Sequence, residues 1–200
     1  MTEPERHIWL IRHGETEWSR DGRHTGVTDI PLTDLGRRQA EALGGQLREH
    51  RFALVLTSPR SRARETARLA GFGDAAVADP DLAEWDYGAL EGRRTREIVA
   101  EYPGWTIWTG PWPGGETADQ VSTRADRILA RCQGADVNGD ALLFGHGHML
   151  RVLGARWLGL PGRSGSLFGL STATLSVLGW EHDSHIFETW NAALEGVPGG

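Results

Sequence analysis

Three short apolar runs recur along the chain, and each has the length of one buried strand. They cover residues 7–11, 52–56 and 140–144, and they end in Arg-His-Gly, Thr-Ser-Pro and Gly-His-Gly-His, respectively. A weak strand is expected near 76–78, and two later runs, 174–180 and 185–190, predict two further strands. Together these runs predict the strands of a sheet.

Between the strands, apolar residues recur at helical spacing. Thr33 is a suitable N-cap for a helix that reaches about His50. Ser58 as N-cap, with Pro59 at the first helical position, predicts a second helix over 59–70. Further helices are expected over 95–101, from Thr117 onward and over 149–158, whereas the polar stretch 18–26 predicts a loop.

Strands that alternate with helices predict an α/β fold, with a mainly parallel sheet between two helical layers in a three-layer α/β/α sandwich. The length of 200 residues suits a single domain, 1–200. Residues 82–115 mix aromatic side chains with glycines and prolines, so any lid-like insertion is expected there. The Gly/Pro-rich tail from Glu195 is expected to fray.

Composition narrows the classes of function. A net charge of −6 and a pI of about 5.7 disfavour nucleic acid as a partner. A single cysteine, Cys132, excludes an internal disulfide. The polar start predicts no secretory signal, and no apolar run is long enough to cross a membrane. A cytoplasmic protein is therefore expected.

Basic side chains follow three of the predicted strands. Arg12 and His13 follow the first strand, Arg62 lies just beyond the second, and His146 follows the third. Because the carboxyl ends of parallel strands meet at one edge of a sheet, we expect these groups to converge there. Guanidinium groups match phosphate oxygens, and a helix starting near Pro59 would direct its positive end to the same place. The pattern predicts a pocket for a dianionic phosphoryl group.

The ordered motifs around these residues resemble the histidine phosphatase superfamily, which includes cofactor-dependent phosphoglycerate mutases and many phosphatases. The motifs are Leu-Ile-Arg-His-Gly-Glu-Thr at 10–16, Thr-Gly at 25–26, Leu-Thr-Asp-Leu-Gly at 32–36, Ser-Pro-Arg-Ser-Arg-Ala-Arg-Glu-Thr at 58–66 and Gly-His-Gly at 145–147. The resemblance covers nearly the whole chain and implies the phosphoglycerate mutase-like fold.

The resemblance also implies catalytic roles. His13 is the implied nucleophile, which forms a phosphohistidine through Nε2 while a backbone carbonyl near Gly14 keeps the other ring nitrogen protonated. Arg12, Arg62 and His146 are implied to hold the phosphoryl oxygens and to stabilise the charge of the transition state.

Glu84 matches the acid position of the family and is implied to protonate the leaving oxygen, then to accept a proton from water. Asp86 and Glu91 are competitors in the same loop. The scheme needs no cofactor, because cationic side chains take the place of a metal. A zinc site drawn from His146, His148 and His13 is disfavoured, since the neighbouring arginine would repel a cation. The residues with an implied substrate-binding role are Gly14, Ser19, Thr25, Gly26, Tyr87, Gly147 and His148.

Several departures separate this chain from the mutases. Trp85 follows Glu84 where the mutases carry a basic residue, Ser19 stands where Asn is usual, and the insertion that ends at Glu116 is short. The loop from 84 to 92 instead resembles a branch with sedoheptulose 1,7-bisphosphatase-like enzymes and broad-specificity acid phosphatases. The resemblance implies hydrolysis of small phosphorylated metabolites, possible homodimers and no membrane partner. A phosphoglycerate mutase and a non-catalytic protein that binds a phosphorylated ligand remain the alternatives.

Overall fold

The computed structural model describes residues 6–193, and its centre is a six-stranded mixed sheet. The tail from Glu195 lies outside the described residues. In spatial order the strands run β3-β2-β4-β1-β5-β6. Their bounds are β1 Ile8–Arg12, β2 Leu54–Thr57, β3 Val77–Ala78, β4 Ala141–Gly145, β5 Leu175–Glu181 and β6 Ser184–Ala192.

Strand β1 lies in the middle of this sheet. It pairs in parallel with β4 and antiparallel with β5, and Arg12 at its end is level with Gly145. Strand β2 pairs in parallel with β3 and β4, which brings Thr57 level with Phe144. The ends of β2, β4 and β1 therefore lie side by side at one edge, as the sequence predicts.

Helices cover both faces of the sheet, which confirms the three-layer α/β/α architecture. Leu43 and Ala67 pack with Ile11 on one face, whereas Val121 and Leu150 belong to the core on the other face. The helices are α1 Glu17–Asp21, α2 Asp34–Leu47, α3 Ser61–Ala67, α4 Thr95–Glu101, α5 Ala118–Cys132 and α6 Gly147–Trp157.

Two predicted helix starts and one predicted loop are wrong. Helix α3 begins at Ser61 rather than Pro59, because the Ser58 side chain hydrogen-bonds the His146 ring and the backbone N–H of Arg60. Helix α6 begins at Gly147, two residues before the predicted start. The sequence pattern predicts a loop over 18–26, yet α1 occupies its first part, because a Thr16 capping box starts a helical turn there.

The segment 82–115 packs into the molecule through its aromatic side chains. Trp85, Tyr87 and Trp105 are between 0 and 3% exposed. The Trp105 indole N–H donates to the carbonyl of Pro111, which ties the segment to itself. Its role as a lid stays a prediction. Within residues 6–193 no helix has both the length and the apolar character needed to cross a membrane.

Candidate active site

A small cavity of about 90 Å³ opens at the edge where β1 and β4 end. Groups from both halves of the chain converge on it. The lining residues are Arg12, His13, Ser19, Arg23, His24, Thr25, Glu84, Tyr87, Gly147, His148, Arg151 and Leu170. Three arginines and five titratable side chains of other types share this space, so it suits an anionic ligand with transferable protons.

His13 is fixed in one orientation directly after β1. Its backbone N–H donates to the carbonyl of Gly145 at 3.0 Å, and its ring Nδ1 lies 2.7 Å from the carbonyl oxygen of Gly14. A carbonyl only accepts, so Nδ1 carries the hydrogen and Nε2 keeps its lone pair. Burial, Arg62 and Arg12 hold the pKa of His13 well below its usual value. The ring is therefore a neutral nucleophile at neutral pH.

Arg12 places a positive charge beside His13. One of its terminal nitrogens donates to the carbonyl of Leu170. Its Nε is buried and has no hydrogen-bond partner among the described residues, so a donor remains for an anionic oxygen. A Cβ added at Gly147 would lie 3.3 Å from the Arg12 guanidinium carbon, so the absence of a side chain there lets the group pass.

Arg62, His146 and Ser58 form a buried chain next to the nucleophile. Arg62 Nε donates to His146 Nδ1 at 3.1 Å, so His146 Nε2 carries the hydrogen and donates to Ser58 Oγ at 2.7 Å. The remaining contacts of the guanidinium go to the carbonyls of Thr25, Gly26 and Thr28, as three hydrogen bonds.

This buried chain lies next to the nucleophile but outside the lining of the cavity. The rings of His146 and His13 lie 5.1 Å apart between centroids, and Arg62 and His146 are both 0% exposed. The resemblance implies that both hold the phosphoryl oxygens; neither is among the described residues that line the cavity, and that role stays a prediction. Burial and the charge of Arg62 lower the pKa of His146 well below its usual value. The pair adds positive potential behind the nucleophile and restrains its surroundings.

Glu84 is the carboxylate that faces the cavity. Its Oε1 accepts from the backbone N–H groups of Trp85 and Met149, and its Oε2 accepts from that of His148. The other two candidates for the acid have structural partners: Asp86 accepts from the backbone N–H of Gly88, and Glu91 accepts from those of 26 and 28. The geometry favours Glu84 as the group that exchanges a proton with a ligand.

The implied substrate-binding residues divide into two groups. Ser19, Thr25, Tyr87, Gly147 and His148 line the cavity. Gly14 and Gly26 act through the backbone: a Cβ added at either would come within 2.4 Å of a carbonyl oxygen, that of residue 36 or 85. Both glycines therefore allow two backbone segments to approach each other closely. Their contact with a ligand stays a prediction.

The outer wall of the cavity contains two arginines and a histidine to which the motifs assign no role. Arg23, His24 and Arg151 all line it. Burial lowers the pKa of His24 to about 4, so this ring is neutral at neutral pH. The guanidinium of Arg151 lies 4.6 Å above the Trp108 ring. The helical spacing of Arg151 from His148 was a usable signal, whereas Arg23 lies in a stretch that the pattern described only as polar.

Tyr87 and His148 form a contact within this wall. The Tyr87 hydroxyl lies 2.6 Å from His148 Nδ1. Burial raises the pKa of Tyr87 well above its usual value, and burial followed by Arg151 lowers that of His148. Both groups are therefore neutral, and they offer a ligand neutral hydrogen-bonding groups beside the arginines.

The family profile described as histidine phosphatase superfamily (branch 1) matches residues 8–193. The chain belongs to this superfamily. The chain is similar to an acid phosphatase of Mycobacterium tuberculosis, with 45% identity over 88% of this chain and 87% of that protein. It is 38% identical to the sedoheptulose 1,7-bisphosphatase of Saccharomyces cerevisiae, over 76% and 67% of the two chains. A probable phosphoglycerate mutase of Klebsiella pneumoniae is 31% identical over 92% and 89%.

Solved structures show the same fold. The structure of a Mycobacterium tuberculosis open reading frame product matches with a TM-score of 0.88 and 41% identity, over 93% of this chain and 97% of that one. The phosphoglycerate mutase-like α/β fold expected from the motifs is therefore confirmed. This histidine phosphatase is a phosphoric monoester hydrolase that acts on phosphorylated metabolites.

Proposed function

We propose that this histidine phosphatase hydrolyses phosphate monoesters of small metabolites, sugar phosphates among them, through a phosphohistidine at His13. The observation that carries the proposal is the Nδ1 contact to the Gly14 carbonyl, because it directs a neutral Nε2 lone pair away from the backbone. Arg12 supplies positive charge in the same cavity, and Glu84 supplies a proton-exchanging group. We infer that it acts in the cytoplasm, the location expected from the sequence.

In the first step Nε2 of His13 attacks phosphorus, and the bond between phosphorus and the leaving oxygen breaks. Protonated Glu84 gives its proton to that oxygen, so the alcohol leaves neutral. Arg12 donates to the phosphoryl oxygens, while the charge of buried Arg62 stabilises the negative transition state from behind. The products of this step are the free alcohol, a phosphohistidine and an ionised Glu84.

In the second step water attacks the phosphohistidine. Glu84 accepts a proton from that water, the bond between nitrogen and phosphorus breaks, and inorganic phosphate leaves. His13 and Glu84 return to their starting forms, so the cycle balances without another reactant. General acid and base catalysis of this type accelerates a reaction by about 10²–10⁴-fold.

The outer wall favours a substrate with both hydroxyl and anionic groups. Tyr87 and His148 offer neutral hydrogen bonds of the kind that sugar hydroxyls accept. Arg23 and Arg151 add positive charge further from the nucleophile. These features fit sugar phosphates, and they agree with the activities named for the acid phosphatase and sedoheptulose bisphosphatase relatives.

A phosphoglycerate mutase is the second candidate, because one of the relatives bears that name. Its first step would be the same, but the phosphoryl group would pass to a second hydroxyl instead of water. A protein that only binds a phosphorylated ligand is the third candidate. Neither a neutral nucleophile nor a facing carboxyl group is needed for binding alone, so the pair His13 and Glu84 favours catalysis.

The test is phosphate release from a panel of esters in the presence of EDTA. The panel contains p-nitrophenyl phosphate, 3-phosphoglycerate, fructose and sedoheptulose bisphosphates and a phosphopeptide. We expect release that survives the chelator, and His13→Ala should lower kcat/KM by at least about a thousandfold. The matched control is His182→Asn at an exposed turn, where Asn suits the positive φ of 54°.

Four outcomes would contradict the proposal. An unchanged rate in His13→Ala would exclude this histidine as the nucleophile. Activity abolished by EDTA would contradict metal independence. Exchange between 2- and 3-phosphoglycerate that is faster than phosphate release would favour the mutase, whereas binding without turnover of any ester would favour the binding protein.

A further inference from the structure

An ion pair between Arg124 and Glu116 contacts the loop that carries Glu84. Arg124 Nε and Nη2 donate to the two carboxylate oxygens of Glu116 at 2.8 and 2.7 Å, a bidentate arrangement. The arginine side chain is 13% exposed and that of the glutamate 23%. The pair lies largely out of solvent, so it holds a fixed geometry better than a surface pair does.

Arg124 also binds the backbone that leads into Glu84. Its Nη1 donates to the carbonyls of Asp81 and Ala83 at 2.7 and 2.9 Å, and its Nη2 approaches that of Glu84 itself at 3.5 Å. The guanidinium thereby fixes the chain on the N-terminal side of Glu84.

Glu116 binds the backbone that follows Glu84. Its Oε2 accepts from the N–H of Asp86 at 3.0 Å, and its carbonyl accepts from the Trp85 indole at 2.7 Å. Its own N–H donates to the Asp86 carbonyl at 2.9 Å. One ion pair therefore holds both sides of the acid residue.

The Arg124 guanidinium also contacts Met149, a residue that donates a hydrogen bond to the Glu84 carboxyl group. Arg124 Nη1 lies 3.5 Å from the sulfur of Met149, whose backbone N–H donates to Glu84 Oε1. Arg124 therefore connects helix α5 to the start of α6, next to the loop that carries Glu84. A shift of the pair would move Glu84 relative to the hydrogen bonds that orient it.

We propose that Arg124 and Glu116 are positioning residues for the proton transfers of Glu84. Neither is among the described residues that line the cavity, and they act by fixing the distance between the carboxyl group and the leaving oxygen. The inference rests on the proposed role of Glu84 as the acid. A misplacement of about 1 Å in such a site lowers a rate by as much as about 10²-fold.

Leaving groups of different basicity distinguish positioning from general stability. The nitrophenolate ion leaves readily without a proton, whereas an alkoxide depends on protonation by the acid. The measured quantity is kcat/KM, since it reports the formation of the phosphoenzyme. We compare p-nitrophenyl phosphate with glycerol 1-phosphate, and each variant is compared with the wild type by thermal melting.

The test variants are Arg124→Lys and the double variant Glu116→Gln/Arg124→Met. The first keeps the charge but cannot bind the carboxylate and the carbonyls together; the second removes both charges, so neither is left buried alone. We expect kcat/KM for glycerol 1-phosphate to fall about ten- to a hundredfold, and that for p-nitrophenyl phosphate to fall less than about threefold. Each result is read only from variants that retain a cooperative melt.

The matched control is Arg127→Gln. Arg127 lies on the same helix and makes a bidentate pair with Asp81 of the same loop, but its side chain is 55% exposed. We expect less than about a twofold change for both esters, because an exposed pair adds little rigidity. A selective loss in Arg127→Gln as large as that in Arg124→Lys would overturn the specific role of the Arg124–Glu116 pair.

Glu84→Gln separates failure of this inference from failure of the proposed function. If Glu84→Gln also lowers activity mainly toward glycerol 1-phosphate, and Arg124→Lys adds less than about twofold in that background, the pair acts through Glu84. Equal losses on both esters for Arg124→Lys, or full additivity, would overturn the inference alone. Equal losses in Glu84→Gln itself would instead overturn the proposed acid.

Discussion

Acidification should destabilise this protein because it buries neutral histidines. His13 is 5% exposed and His146 is 0% exposed. Burial, reinforced by Arg62 and other charges nearby, holds the pKa of each well below its usual value. In the unfolded chain both rings take up a proton near pH 6.5. The unfolded state therefore binds more protons below that pH, so the free energy of unfolding must fall as the pH falls.

The size of the effect follows from the number of such rings. A histidine that stays neutral in the fold at pH 5.5, but titrates near 6.5 when unfolded, lowers the free energy of unfolding by about 1.4 kcal/mol between pH 7.5 and 5.5. His13, His24, His146 and His148 all have a lowered pKa in the fold, so together they cost about 5.5 kcal/mol over this range. Asp140, whose pKa is lowered in the fold, contributes at more acidic pH and lies outside the window.

The assay is urea unfolding at both pH values in a buffer without phosphate or sulfate, because a bound anion would add its own linkage. His146→Gln should reduce the pH-dependent loss by about 1.4 kcal/mol, roughly a quarter of it, whatever its effect on absolute stability. Gly45→Ala, an exposed change without a titrating group, should leave the pH dependence unaltered. A stability that is constant or higher at pH 5.5 would refute the neutrality of the buried rings, and with it the neutral nucleophile.

Two further predictions concern packing and orientation. A Cβ at Gly36 would lie 2.1 Å from the Glu15 carbonyl, so Gly36→Ala should cost at least about 3 kcal/mol in urea unfolding, whereas Gly45→Ala on the same helix should gain about 0.5–1 kcal/mol. Ser58→Ala removes the acceptor of His146 Nε2 and should lower kcat/KM about tenfold with a cooperative melt retained. An unchanged kcat/KM would show that other contacts orient the ring sufficiently.

Much of the fold could be predicted from local sequence patterns. The runs at 7–11, 52–56 and 140–144 each contain a central strand to within two residues, because parallel strands buried on both faces are continuously apolar. The predicted helix over 95–101 is confirmed. The predicted helix start at Pro59 was wrong for a non-local reason. Ser58 uses its hydroxyl on a histidine 88 positions away, and residue spacing cannot show that contact.

The candidate site could likewise be predicted only in part from the sequence. His13, Arg12 and Glu84 could be assigned to one cavity from the sequence. Arg12 and His13 stand at the end of a strand, and Glu84 lies in a recognisable loop. Arg62 and His146 are close to the nucleophile but not in the lining, since the carbonyls and ring that bind them are set by tertiary packing. The Arg124–Glu116 pair gives no motif of its own. The pair is important because it contacts the loop that carries Glu84, and only the folded structure shows that contact.

The central position of β1 also has a consequence for the chain during its synthesis. Its neighbours, β4 and β5, are among the last strands to emerge from the ribosome. At 5–20 residues per second, the first strand waits on the order of ten seconds or longer for a partner, while about 130 residues are added. The segment with the nucleophile thus begins as an unpaired apolar strand. Nascent chains that end before Ala141 carry every motif of the first half but no assembled pocket.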